Sequence, residues 1–199
     1  KEVLNKKHDK PFFLACGLYR PHLPWYVPRK YFDMFPPDKI TLPHINENDL
    51  DDVPPIGREF VMRRKPNDHE EVTRTNNWRK AVAGYLASTA FADDMVGILL
   101  DALDNSEYAD NTMIVLWGDH GWHLGEKLHW RKFDLWEESA RVPLMISAPG
   151  MAPGLCERTT SLVDLYPTFI DVCDLSPKEG LDGLSLKPLL EQPDKEWNR

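Results

Sequence analysis

Three short apolar runs, each cut off by proline or glycine, constrain this chain more than any other feature. They are Pro11–Tyr19 (Pro-Phe-Phe-Leu-Ala-Cys-Gly-Leu-Tyr), Thr112–Trp117 and Val142–Ala148. None carries a charge, and a strand apolar on both faces belongs in a sheet covered by helices on both sides. Pro21 and Pro24 follow the first run, Gly118 the second and Pro149-Gly150 the third, where a ladder must end. Between the first two lies the strongest helical pattern, Trp78 to Leu103, with Asn77 as its N-cap. Val82, Tyr85, Leu86, Thr89, Val96, Leu99, Leu100 and Leu103 recur there mostly at three- and four-residue steps. A further helix is predicted over Val163 to Leu175. Strands separated by helices give an α/β fold with a largely parallel sheet. Three strands make a thin core for 199 residues, so the sheet is expected to be incomplete in this chain.

Residues 24–77 are rich in proline and charge and read as loop, with one short helical candidate near Pro28–Met34. A stretch that long builds a site or its rim. The opening residues Lys1–Lys10 read as the tail of a polar helix, with no apolar signal core. Cys16 and Cys173 lie on apolar segments and are expected to be buried thiols. With Cys156 they are too few for a disulfide framework and match no zinc spacing. The net charge of −8 is spread along the chain, which disfavours nucleic acid and an anionic membrane surface as partners. No apolar run reaches the roughly 18 residues of a membrane span.

The sharpest chemical signal is Gly118-Asp119-His120-Gly121, directly after the second run. Ligands of open α/β sheets bind beyond the carboxyl ends of strands. An acid and an imidazole between glycines can reach a metal there. The carboxylate favours calcium and the imidazole zinc or manganese, and the residue types leave that choice open. The loop Gly121–Phe133 carries several basic side chains and two tryptophans, Trp122 and Trp130. Arg131 and Lys132 are candidates to balance an anionic substrate, while His123, Lys127 and His129 read as peripheral, on a solvated basic loop. His22, in Arg20-Pro21-His22-Leu23-Pro24 at the end of the first run, is placed to meet Asp119 on the same side of a parallel sheet.

Four segments, Pro11–Pro24, Gly118–Glu126, His129-Trp-Arg-Lys132 and Arg141-Val-Pro-Leu144, resemble the type I sulfatases, and within them the iduronate sulfatase-like branch. Val163-Asp-Leu-Tyr-Pro-Thr-Phe169 and Leu181-Asp-Gly-Leu-Ser-Leu186 resemble the segments that close that family's catalytic domain. The resemblance implies an alkaline-phosphatase-like α/β sheet flanked by helices, and a hydrolase cleaving sulfate esters with bound calcium. It implies a formylglycine, made from a Cys or Ser in a Cys/Ser-x-Pro-x-Arg motif, whose hydrate attacks sulfur. Asp119 and His120 resemble the family's metal ligands, Lys132 the lysine that holds the sulfate, and His22 the histidine near the leaving oxygen. The implied substrate is a sulfated sugar or glycan, and the implied setting periplasmic, secreted or lysosomal.

The departures are as informative. No Cys/Ser-x-Pro-x-Arg motif is present; Cys16-Gly-Leu-Tyr-Arg20 imitates its spacing with Leu18 in place of proline. The aspartate pair that completes the family's metal site is absent, and Lys127-Leu128 replaces the family's commoner His-Gly. Residues 1–199 are therefore expected to be the later portion of a catalytic domain whose front portion carries the nucleophile, with that N-terminal fragment as a partner. The chain alone is expected to be inactive and to bind calcium poorly. Alternatives are a phosphodiesterase or phosphonate hydrolase of the same superfamily, or a non-catalytic binding domain on the same scaffold.

Overall fold

Residues 24–77 hold more helix than their proline content suggests. In the computed structural model, which describes residues 2–63 and 66–198, α1 (Arg29–Phe32), α2 (Pro55–Met62) and α3 (Asp68–Arg74) precede the long α4 (Trp78–Asp104). Then come β1 (Ile114–Trp117), β2 (His123–Leu124), β3 (Trp130–Arg131), α5 (Glu137–Ala140), β4 (Leu144–Ser147), α6 (Leu165–Val172) and α7 (Lys187–Glu191). Pro55 opens α2 from its first turn, where a missing N–H costs nothing. Asn67 opens α3 with a reciprocal cap: its side chain accepts from Glu70 N–H, and the Glu70 carboxylate accepts from Asn67 N–H, both at 2.8 Å.

The chain divides into two units. The first is Lys1–Glu107 with Gly118–Pro143. Its α4 buries a face of small residues, Ala83, Gly84, Ala87 and Ser88, beside Val82 and Leu103. That face lets other chain come close: a Cβ at Gly84 would sit 2.8 Å from the Trp25 ring. Trp25 also donates from Nε1 to the Pro21 carbonyl at 3.0 Å, which pins the segment carrying His22. Tyr31 of α1 meets the Phe91 ring and donates to Asp94, fixing α1 on α4. Ile40, Val82, Ala83 and Trp130 form the core, with Trp25, Phe35, Trp78 and Leu124 packed around them. Asn77 stands at the N-cap as expected, but its side chain makes no cap bond. Trp78 ties the start of α4 to β2 by donating to the Leu124 carbonyl at 2.7 Å. β2 and β3 pair antiparallel, His123 opposite Arg131 and Leu124 opposite Trp130.

The second unit is Tyr108–Trp117 with Leu144–Arg199. Its sheet is β1 against β4, Ile114 opposite Ser147 through Trp117 opposite Leu144. The predicted helix from Val163 begins as a 3-10 turn, Leu162–Asp164, before α6. Asp164 and Thr168, both fully buried, organise its end. The Asp164 carboxylate accepts from Ser161 N–H and Leu184 N–H, while the Thr168 hydroxyl donates to the Asp164 carbonyl and accepts from Leu186 N–H.

Four expectations change. Pro11–Tyr19 belongs to no strand, and Phe13 and Tyr19 are 77% and 63% exposed. Apolar character prepares a segment for a sheet, but only a neighbour's N–H and C=O groups make the ladder. The β1–β4 pair is antiparallel, because the chain between these strands contains no crossover helix and returns on itself, Gly118 N–H bonding the Pro143 carbonyl at 3.2 Å. All three cysteines are exposed and free: Cys16 lies on that same segment and Cys173 at the end of α6. Residues 2–5 form turns, not a helix tail.

Candidate active site

The sequence leaves β1 at Trp117 and enters a turn in which Asp119 and His120 adjoin. The Asp119 side chain is 85% exposed, and its Oδ1 accepts from His120 N–H at 3.1 Å. His120 Nδ1 lies 2.9 Å from the Gly121 carbonyl, which can only accept, so the proton sits on Nδ1. In the neutral ring Nε2 then carries the lone pair, 3.7 Å from Asp119 Oδ2. Gly121 is required by crowding: its N–H donates to the Ser139 carbonyl at 2.8 Å, and a Cβ would run into the Glu138 carbonyl.

His22 is half-buried in the first unit, between the cis peptides Arg20–Pro21 and Leu23–Pro24. Its Nδ1 is 2.7 Å from the Leu23 carbonyl and 3.1 Å from the Tyr19 hydroxyl, which donates to the same carbonyl at 2.6 Å. The carbonyl can only accept, which places a proton on Nδ1. The His22 and His120 rings are 6.3 Å apart, centre to centre.

Trp122 gathers these groups. His22 meets its ring edge-on at 5.3 Å, His120 lies at 6.3 Å, and the Lys132 ammonium stands 5.4 Å from the ring centre. Tyr85 of α4 stacks on it at 6.2 Å, and burial raises the Tyr85 phenol above its usual range. Sequence reasoning counted Trp122 only as one of two tryptophans in a basic loop. Its signal was its place, two residues after His120.

His22, Asp119, His120 and Lys132 thus lie in one unit, with the two imidazoles and the ammonium around one indole. Arg131 does not join them: Nε pairs with Asp68 at 2.7 Å, so its charge is neutralised inside the protein. Lys127 is likewise held by Asp49 at 2.7 Å, which raises its pKa. The loop is not a solvated basic face either. His123 is fully buried, and burial lowers His129 to about 4.

For a metal, the donor types fit but the number is small. Asp119 Oδ2 and His120 Nε2 offer two ligands of the kinds divalent cations accept. Among the described residues no group of three or more His, Cys, Asp or Glu side chains is arranged to hold a metal ion.

The family model described as Sulfatase matches residues 1–175. The chain belongs to the sulfatase family. A sulfatase of Formosa agariphila is 38% identical over 96% of this chain and 38% of its own length. The human iduronate 2-sulfatase is 33% identical over 93% of this chain and 35% of its own. Among solved structures, the phosphonate monoester hydrolase of Agrobacterium radiobacter superposes with a TM-score of 0.80 at 28% identity, over 97% of this chain and 41% of that one. This sulfatase chain therefore spans well under half the length of the relatives it matches. Its fold is the expected α/β sulfatase fold, present in part as helices with two small sheets. No helix among its described residues is long and apolar enough to cross a membrane.

Proposed function

We propose that this chain is the later portion of a sulfuric ester hydrolase acting on a sulfated sugar or glycan, in a periplasmic, secreted or lysosomal setting. The observation that carries the reading is the convergence of His22, His120 and Lys132 around Trp122, beside Asp119. A sulfate ester presents anionic oxygens and a poor leaving alkoxide. Lys132, for which no described carboxylate lies within ion-pair distance, supplies positive charge to those oxygens. His22, with Nδ1 held by the Leu23 carbonyl, offers Nε2 to deliver a proton to the leaving oxygen. Asp119 Oδ2 and His120 Nε2 would supply two ligands to a calcium ion. Bound there, such a cation withdraws charge from the sulfate oxygens. Calcium takes six to eight oxygen ligands, so the remaining ligands and the formylglycine nucleophile belong to a part of the protein outside these residues. The chain alone is then inactive, and its N-terminal fragment is its natural partner.

The test uses the complete protein on a panel of sulfated sugars, other sulfate esters, phosphodiesters and phosphonate monoesters. Sulfate esters are expected to be preferred, Asp119→Ala to abolish turnover, and Lys132→Ala to reduce kcat/KM by about 100-fold or more. Wild-type rates in both variants would remove this site from the reaction. A second reading, phosphonate ester hydrolysis, is favoured by the structural match to the Agrobacterium radiobacter enzyme. A strong preference for phosphonate over sulfate would establish it instead.

A further inference from the structure

Lys132 sits on a backbone that should not hold itself in place. Both its neighbours are left-handed, Arg131 at φ 77° and Phe133 at φ 117°. Residues without glycine's freedom keep such conformations only where their surroundings over-determine them. On the N-terminal side, β3 supplies the constraint. Trp130 is buried opposite Leu124, and Arg131 is opposite His123 and ion-paired to Asp68. On the C-terminal side the constraint is Asp134. Its nearly buried carboxylate takes Trp136 N–H at 2.9 Å, the Ser139 hydroxyl at 2.9 Å and His123 Nε2 at 3.2 Å, with His129 Nε2 at 3.4 Å. His123 is held at its other nitrogen too, Nδ1 lying 3.1 Å from the Glu126 carbonyl.

We infer that His123 and Asp134 are positioning residues, a buried clamp that holds the strained turn presenting Lys132. The inference rests on the proposed role of Lys132 in binding the ester's anionic group. His123 belongs to β2 and Asp134 follows the turn, so their contact closes the loop behind Lys132 at the point where the ladder stops. Lys132 is the member of the Trp122 cluster that stands on this strained turn, so the clamp is inferred to act on turnover through it.

The experiment is a double-mutant cycle in the complete protein with a sulfate ester as substrate, joined to hydrogen exchange on the same preparations. Asp134→Ala is expected to lower kcat/KM by about 100-fold, the scale of a misplacement near 1 Å. Asp134→Asn, whose one carbonyl oxygen still accepts from Trp136 N–H while its amide can donate to the Ser139 hydroxyl oxygen, should recover most of that loss. Asp134→Ala with Lys132→Ala should be no slower than Lys132→Ala alone, and exchange should quicken at residues 129–136 while α4 stays protected. Losses that multiply in the double variant, or unchanged exchange in the loop, overturn the clamp. Should Asp134→Ala expose α4 as well, Ser139→Ala, which removes one donor, replaces it under the same criteria. If the wild-type protein hydrolyses no sulfate ester, the sulfatase reading fails. The exchange result then decides the clamp by itself: selective loss of protection supports it, and none overturns it.

Discussion

His129 shows how burial turns a polar loop residue into a pH-dependent element of stability. Desolvation lowers its pKa to about 4, the charges of His123 and Arg63 push the same way, and Asp134 and Asp68 oppose them. In an unfolded chain the same group titrates near 6.5. Between those values the unfolded state binds more protons than the folded one, so stability falls as pH falls from about 6.5 toward 4. The whole interval corresponds to on the order of 3 kcal/mol. Replacing His129 by Gln should flatten that part of the stability profile, measured as Tm from pH 7 to 4 in wild type and variant. An unchanged difference across the range would show that His129 is not buried neutral. The same residue scale shows what the sequence could and could not reveal about the site. Asp119, His120, His22 and Lys132 were legible because each stands in a short motif at the end of an apolar run or in the loop after it. The ion pair of Arg131 was not legible because its partner, Asp68, is distant in sequence, and a basic side chain looks the same whether or not a carboxylate faces it. Trp122 was passed over because an indole announces no chemistry until its neighbours are known.

Elements divide by whether their stabilising partners are local. α4 was legible nearly to the residue, since its pattern lies within itself. α3 carries an equally local signal, Asn67 with Glu70 three residues on, which the charge and proline around it obscured. That cap makes a direct prediction. Asn67→Ala removes the acceptor for Glu70 N–H and should cost about 1 kcal/mol of stability, read from denaturant midpoints. Asn67→Asp should restore most of it, and equal losses in both variants would mean that the side chain acts by packing alone. The strands were harder because their partners are remote. Pro11–Tyr19 has the composition of a central strand and no ladder among the described residues. β1 and β4 have the expected composition too, but their direction depended on how the intervening chain returns, which periodicity does not encode.

At the scale of the whole molecule, the relation between metal and fold separates a half-site from a complete one. A ligand that binds only the folded state stabilises it by RT ln(1 + [L]/Kd), about 2.7 kcal/mol at a concentration 100 times Kd. In the proposed site Asp119 and His120 would supply two ligands, and calcium affinity rises with the number and charge of the oxygens around it. Residues 1–199 should therefore gain almost nothing in Tm from millimolar calcium, whereas the complete protein should gain several degrees. Asp119→Ala in the complete protein should abolish that gain, because it removes the only carboxylate this chain contributes to the proposed site. Lys132→Ala should keep it, since in the proposed site the ammonium serves the ester and not the ion. Thermal melts with calcium and with a chelator, on all four proteins, test these outcomes together. An equal gain in the isolated chain would mean that the metal site is complete without further chain. The absence of any gain in the complete protein would mean that Asp119 and His120 hold no cation, which overturns the proposed metal role. The two results would move the missing half of the site in opposite directions, so the melts decide between them before any substrate is found.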